Sequence, residues 1–547
     1  MSGETVNRRS KNIVLCSDGT GNLGGKGNGT NVWRLYNSVD IHGHKENPQL
    51  KQQLSFYDDG IGTEDFKLWK ILGGAFGWGL SRNIRQLYEF IVKNYAPGDD
   101  IYLFGFSRGA FTVRSLAGLI TKCGILDRQK MANGKPKYGS SSDVKKGVRE
   151  AYKAYRRDHW RKSNILVRFL RRFGIGRNIQ AAATFRRENS LPDSKIKCIG
   201  VWDTVDAIGV PFDGLRWVLD KIFCIRFHSH DLSKDVEFGF HAMSIDDERH
   251  TFHPVLWNEH QGEHSGIEQV WFPGVHSNVG GGYPKQGMAH VSLYWMMAKA
   301  TEHGLRFYEG AMDKTRSGAN VHDKLYDSRA GFASYYRYRP RQIEVLGKKN
   351  CKGPARIHVS AFERILQSTQ NYAPGNLPSD FDIDISGSPG VAPEFLGEMQ
   401  TTFKEIIRKE NERIGVKGKS LSSRTAKHIA WRIGLFWLFV TYTVVAIGWI
   451  VIFLKNSQAP LQVSGFGQLI GKIWSSVASL APGFAKGYVQ PAGYYFQQHP
   501  FCFVFLALFL LLVLFANGAI RNRMKFLCDN YWSRVREEFK RAEEQVG

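Results

Sequence analysis

The stretch Ile101–Ile120, IYLFGFSRGAFTVRSLAGLI, decides the architecture. Ile101–Phe104 follows the turn Pro97-Gly98-Asp99-Asp100 and has the composition of a buried strand. Gly105-Phe106-Ser107-Arg108-Gly109 comes next, and Ala110–Ile120 carries apolar residues at a spacing compatible with a helix. Strand, sharp turn and helix in so short a run make a β–α unit. A serine on such a turn has its hydroxyl pushed out of the sheet, and glycines two residues to either side relieve the crowding. The hydroxyl also stands at a helix N-terminus, whose backbone N–H groups favour a developing negative charge. Ser107 is therefore a candidate nucleophile, against the alternative of an incidental turn.

Outward from that unit the pattern repeats. Ile13–Cys16 reads as a strand running into the turn-rich Asp18–Asn31, and Ile196–Trp202 and Val270–Phe272 read as two more. Short apolar runs alternating with helical stretches over residues 11–400 predict an α/β fold. No internal repeat is visible. The stretches Gly347–Pro354 and Ser386–Pro393 are the expected breaks, and Phe403–Arg413 reads as a charged helix.

A serine nucleophile needs a base and an acid that orients the base. Asp203 ends the strand Ile196–Trp202, where a side chain reaches the carboxyl edge of a sheet. Asp206 is its nearest rival, and a turn or helix-cap role is the plainer reading of Asp203. His276 follows Val270–Phe272 inside the glycine-rich loop Gly274–Tyr283, GVHSNVGGGY, well placed to swing over a serine. A structural loop histidine is the alternative. Ser107, Asp203 and His276 stand in one of the chain orders in which such triads occur.

These residues resemble a known family, the type VI secretion phospholipase effectors and their relatives with an α/β-hydrolase domain. The likeness spans about residues 12–378. It rests on Leu15-Cys16-Ser17-Asp18-Gly19-Thr20-Gly21-Asn22, the elbow Gly105–Phe111, and Val201-Trp202-Asp203-Thr204-Val205. Further blocks are Phe240-His241-Ala242 through Pro254-Val255-Leu256-Trp257, the His276 loop, and Tyr372-Ala373-Pro374-Gly375-Asn376-Leu377-Pro378. The resemblance implies an α/β-hydrolase-like sheet with a helical, basic cap insertion near residues 140–190. It also implies a cofactor-free, metal-free esterase cleaving acyl esters of glycerophospholipids. Carried over by position, Ser107 is the nucleophile, Asp203 the acid and His276 the base. Arg108, Gly19 and Thr20 supply the oxyanion site, and a regulatory or immunity protein is the implied protein partner. Two positions depart from the family pattern: Ser17 stands where Phe is usual, and Asn278 where Asp is usual. The second is expected to weaken hydrogen bonding around the histidine loop.

The C-terminal part has a different character. Ile433–Leu454, IGLFWLFVTYTVVAIGWIVIFL, runs 22 residues without a charge. As a helix it is roughly 33 Å long, enough to cross a hydrocarbon core of about 30 Å. Phe501–Ile520 is a second uncharged run, after Pro500. Arg413, Lys417, Lys419, Arg424, Lys427 and Arg432 precede the first run, and Arg521, Arg523, Lys525, Arg534 and Arg536 follow the second. The connector Lys455–Pro500 carries only Lys455, Lys472 and Lys486. The positive-inside rule then predicts two spans with both ends of the chain, and the α/β domain, in the cytoplasm. Leu469, Ile473, Val477 and Leu480 allow a helix lying on the far interface, or a plain loop. The expected organisation is a catalytic domain over 1–400, a basic linker over 401–432, and a membrane hairpin with a cytoplasmic tail over 433–547.

Composition agrees with a membrane partner. Lys and Arg number 74 against 50 Asp and Glu, a net charge of +24, which favours anionic lipid headgroups or nucleic acid. Arg156, Arg157, Arg161, Lys162, Arg168, Arg171, Arg172 and Arg177 are interleaved with Ile165, Leu166, Val167, Phe169, Leu170 and Phe173. That pattern suits a lid on anionic lipid better than a nucleic-acid site, because no base-reading module accompanies it. A solvated amphipathic helix is the plainer alternative. The seven scattered cysteines exclude a disulfide scaffold, and the polar Met1–Asn12 predicts no secretory signal.

Competing motifs are weaker. Gly19–Gly24 matches G-x-G-x-x-G, but a glycine- and asparagine-rich loop follows where a dinucleotide site needs a helix. Cys16 replaces the aspartate that a phosphatase reading of the same segment requires. His250, His253, His260 and His264, with Glu259 and Glu263, lack a metalloprotease motif and any cysteine partner. The sequence therefore predicts a membrane-anchored serine esterase acting on phospholipid, in the role of an antibacterial effector or a self-directed defence toxin. The rivals are an esterase of small soluble esters and a membrane scaffold that keeps the fold without catalysis.

Overall fold

Alternate residues of one short strand enter two different cores. Ile13 and Leu15 of β1 (Asn12–Ser17) pack with helices Ala75–Asn94, Arg108–Cys123 and Ser141–Ser163, while Val14 and Cys16 pack with Asn31–Ser38 and Gly287–Glu302. The same alternation separates Ile101 and Leu103 from Tyr102 and Phe104. Strands covered on both faces lose the polar face of a half-solvated sheet, so they read as continuous apolar runs. The computed structural model describes residues 9–19, 27–60, 75–132, 134–163, 181–205, 231–260, 266–388, 393–414, 421–456, 464–479 and 492–546.

The central sheet has eight strands: β1, β2 (Gln53–Asp58), β3 (Asp100–Phe106), β4 (Ile196–Trp202), β5 (Val236–Ser244), β6 (Ile267–Phe272), β7 (Ala355–His358) and β8 (Phe381–Asp384). Their order is β8-β7-β6-β5-β4-β3-β1-β2, and every neighbouring pair is parallel. The chain therefore has an α/β fold. It leaves β1 toward one edge to form β2, then crosses β1 to form β3 and grows toward the other edge. The carboxyl ends of β1 and β3 flank this switch in direction, the place where open α/β sheets form a crevice for ligands. Ser107 follows β3 there.

β4 has the boundaries the sequence predicted, and β1, β3 and β6 extend their predicted cores by one to three residues at an end. The Ser107 helix begins at Arg108 and ends at Cys123, before Gly124 at φ 72°. Helix Ile343–Asn350 occupies part of the expected break Gly347–Pro354, and residues 389–392 of the second break lie outside the described residues.

Two helices, Leu421–Asn456 and Pro500–Val546, contain the uncharged runs. Both are long and apolar enough to cross a membrane. They run antiparallel: the Tyr442 hydroxyl donates to the Leu506 carbonyl at 2.7 Å, and ten residues earlier Arg432 Nε donates to Asn517 Oδ1 at 3.2 Å. Trp449, Phe501, Phe505, Leu511, Leu512 and Phe515 are all 60% exposed or more. Core helices of a water-soluble domain would cover such side chains. Helix Gly465–Ser479 includes the connector positions Leu469, Ile473 and Val477, and Leu480 lies outside the described residues.

The tail of the last helix returns to the sheet. Cys528, Tyr531, Trp532, Val535 and Phe539 pack with Trp271, Ile357, Phe362, Phe381, Phe403, Ile406 and Ile407 in one core. Trp532 Nε1 donates to the Pro374 carbonyl at 2.8 Å. Helix Pro393–Ile414 runs through residue 400, and Leu421 opens the first long helix, so both ends of the segment read as a linker are helical.

Candidate active site

The elbow is built from steric necessity. Ser107 has φ 58° and ψ −119°, a strained conformation for a residue with a side chain. A Cβ at Gly105 would lie 2.6 Å from the Gly109 carbonyl oxygen, and one at Gly109 would lie 2.0 Å from that of Ser17. Only glycine lets the helix start approach β1 this closely. Ser107 N–H donates to the Trp202 carbonyl at 3.0 Å, which ties the turn to β4.

Three side chains meet at this edge. His276 Nε2 is 2.8 Å from Ser107 Oγ, and His276 Nδ1 is 2.5 Å from Asp203 Oδ2. All three residues are buried, Ser107 at 6% exposure. Asp203 follows β4 with φ 41°, a second strained position, and not a helix cap. Asp206 lies outside the described residues. His276 opens the short helix His276–Gly280, where the sequence suggested a loop. Its N–H donates to Asp247 Oδ2 at 3.2 Å, and its ring lies 4.6 Å from that of Phe106 and 5.0 Å from that of Phe252.

Electrostatics set the protonation states. Burial alone would raise the Asp203 carboxyl, but the Arg341 charge and the His276 hydrogen bond outweigh it and hold the group well below the usual carboxylate range. Burial lowers His276, and the hydrogen bond and charge of Asp203 only partly offset this. At neutral pH the imidazole is neutral, with Nδ1–H donating to the Asp203 carboxylate and Nε2 free to accept the Ser107 proton.

Several partners of the three had no sequence signal. Arg341 donates to Asp203 Oδ1 at 2.6 Å and to Oδ2 at 2.8 Å. Ser244 N–H is a second donor to Oδ1, at 3.0 Å. Arg249 grips Asp247 through Nε and Nη2, at 3.0 and 2.7 Å, and its guanidinium lies 3.5 Å from the Phe252 ring centre. Asp246 accepts from Gly274 N–H and the Tyr372 hydroxyl, and burial pushes its carboxyl up to about 6. Tyr372 thereby explains part of the block Tyr372–Pro378.

The remaining expectations divide. Arg108 opens the helix after Ser107, so its backbone N–H belongs to the helix's first turn. Gly19 N–H instead donates to Asp18 Oδ1 at 2.6 Å, and Thr20 lies outside the described residues. The Asn278 side chain makes three hydrogen bonds: Oδ1 accepts from Val275 and Tyr326 N–H at 3.3 Å each, and Nδ2 donates to the Lys324 carbonyl at 3.0 Å. An aspartate would lose the third, so the asparagine supports the histidine segment. Ser17 donates to Asp58 Oδ2 at 3.0 Å.

His250 accepts from Arg339 Nη1 at 3.0 Å, and burial pushes His253 down to about 3. His264 and Glu263 lie outside the described residues, as do Ile165–Phe173 of the basic stretch. Among the described residues no group of three or more His, Cys, Asp or Glu is placed to hold a metal ion.

Residues 11–299 match the family model of the type VI secretion system phospholipase effector, Tle1-like, catalytic domain. The chain is also similar to the uncharacterized protein YEL023C of Saccharomyces cerevisiae, with 29% identity over 255 residues. That alignment covers 44% of this chain and 32% of the yeast protein, so the chain spans about a third of that relative's length.

Proposed function

The chain belongs to the Tle1-like family of type VI secretion phospholipase effectors, and from that premise we propose that it is a membrane-anchored serine esterase of α/β-hydrolase type that cleaves acyl esters of glycerophospholipids. The observation that carries the reading is the continuous hydrogen-bonded line Ser107–His276–Asp203 at the sheet's switch point.

Each group has a task its environment suits. His276 Nε2 takes the Ser107 proton as Oγ attacks the ester carbonyl, and Asp203 stabilises the imidazolium that forms. The tetrahedral oxyanion is held by N–H groups at the start of helix Arg108–Cys123. His276 then hands the proton to the departing lysophospholipid oxygen. Water, deprotonated by the same nitrogen, attacks the acyl-enzyme and releases the fatty acid, restoring Ser107.

Phospholipid is favoured over a small soluble ester by what lies beside the triad. The segment Tyr335–Arg341 links it to the long apolar helix. Tyr336 packs on Phe252 with ring centres 5.5 Å apart, and Phe252 faces His276. One residue earlier, Tyr335 lies 5.1 Å from Phe439, and Arg432 stacks 3.7 Å over Tyr338. With the helix pair in a bilayer, this segment holds the triad's neighbourhood close to the lipid headgroups. The basic flanks favour a cytoplasmic α/β domain, read as residues 1–400 with a cap near 140–190. An enzyme so placed suits an effector or defence toxin restrained by an immunity or regulatory protein.

The test is covalent labelling. Purified full-length protein in detergent is treated with a fluorophosphonate and digested, and the modified peptide is mapped. Stoichiometric modification of Ser107 is expected; modification elsewhere, or none in a protein that turns over ester, would reject the serine assignment.

A further inference from the structure

The acid of the triad is itself held by a buried cation. Arg341 is 1% exposed, and its two terminal nitrogens meet the two oxygens of Asp203 in parallel, at 2.6 and 2.8 Å. The fork is further fixed by Nη2 donating to the Phe252 carbonyl at 2.8 Å, and the Arg341 carbonyl accepts from Asn376 Nδ2 at 3.2 Å. Among the described residues, Arg341 Nε is buried without a hydrogen-bond partner. A buried ion pair adds little net stability compared with apolar packing, and an unsatisfied N–H detracts further. Stability is therefore a poor reason for an arginine here, and geometry is a better one. A carboxylate on a single torsion turns easily, but one gripped at both oxygens has a fixed plane.

Resting on the serine-esterase reading, we propose that Arg341 is a positioning residue of the triad, locking the Asp203 carboxylate so that Oδ2 aims at His276 Nδ1. The grip has an electrostatic consequence. His276 is faced by Asp203 from the end of β4, by Asp247 and Arg249 from the segment after β5, and by the Arg341 guanidinium behind Asp203. Arg249, paired to Asp247, lowers His276, and Arg341 is the cation bound directly to the Asp203 carboxylate. Removing that cation leaves a barer carboxylate against the imidazole and stabilises the imidazolium. The His276 pKa therefore rises, and the acid limb of the rate profile moves to higher pH.

The experiment compares full-length wild type, Arg341→Gln and Arg341→Lys in detergent. It measures kcat and kcat/KM for a chromogenic acyl ester from about pH 5 to 9, with thermal melting as a check on folding. Arg341→Gln is expected to lower kcat/KM by about 10- to 100-fold, as for a misaligned catalytic group, and to raise the acid limb by about one pH unit. Arg341→Lys keeps the charge but not the fork, so it should lower kcat by about 10-fold with the acid limb near its wild-type position. A glutamine variant that folds and keeps the wild-type acid limb would overturn the proposal. If it does not fold, a lysine variant with wild-type kcat would overturn it instead. Failure of the underlying reading is distinct: the wild type would then neither hydrolyse the ester nor be labelled at Ser107.

Discussion

A His276→Ala protein is expected to hydrolyse acyl esters about 10⁴- to 10⁶-fold more slowly than wild type while keeping its fold. The imidazole is the one group in contact with both other members of the line, at 2.8 Å from Ser107 Oγ and 2.5 Å from Asp203 Oδ2. Without it the hydroxyl must ionise unaided, and nothing returns a proton to the leaving alcohol. Some acceleration over water remains, because the start of the helix after Ser107 is untouched. The fold survives because the backbone N–H of residue 276 still meets Asp247 and the lost ring leaves only a local cavity beside Phe106 and Phe252. Turnover of a fluorogenic ester, measured beside a thermal melt, checks this; an alanine variant within about tenfold of wild type would mean another base serves Ser107.

Gly109→Ala should be the most damaging change of a single methyl group in the α/β domain. The added carbon would stand 2.0 Å from the Ser17 carbonyl oxygen, 2.5 Å from its carbon and 2.6 Å from the Asp18 carbonyl oxygen. All three atoms are backbone at the end of β1, so no side chain can turn away. The helix must lift off the sheet, taking Ser107 from His276. Overpacking a tight site costs about 1–3 kcal/mol, and more where only backbone can move. Gly353→Ala is the control, since a Cβ there meets nothing within 4 Å. Denaturation midpoints and ester turnover should both fall sharply for Gly109→Ala and stay at wild-type values for Gly353→Ala. A fully stable, fully active Gly109→Ala protein would refute the steric account of the elbow.

The elbow was legible because its chemistry is local: strand, glycines, serine and helix lie within Ile101–Ile120. Asp203 and His276, whose side chains the fold brings to Ser107, each follow a recognisable strand. β2, β5, β7 and β8 were not anticipated. β7 and β8 are only four residues long, ARIH and FDID, and too polar to stand out. β2 and β5 mix polar residues into the run, QLSFYD and VEFGFHAMS. Arg341 was invisible for a different reason. It lies 138 residues from Asp203, in a run where Arg337 and Arg339 look the same, and only the sheet's topology brings one of the three to the carboxylate. The docking face of the last helix was also missed. Cys528, Tyr531, Trp532, Val535 and Phe539 have helical spacing, but the longer apolar run before them dominated the reading.

Fatty-acid release from anionic phospholipid vesicles by purified full-length protein, wild type beside Ser107→Ala, tests the serine phospholipase assignment most directly. Release by the wild type is expected, and none above background by the variant. Equal release by both would remove Ser107 from the chemistry. A wild type that is labelled by fluorophosphonate at Ser107 and hydrolyses small esters, yet releases no fatty acid from vesicles, would contradict the assignment of phospholipid as its substrate.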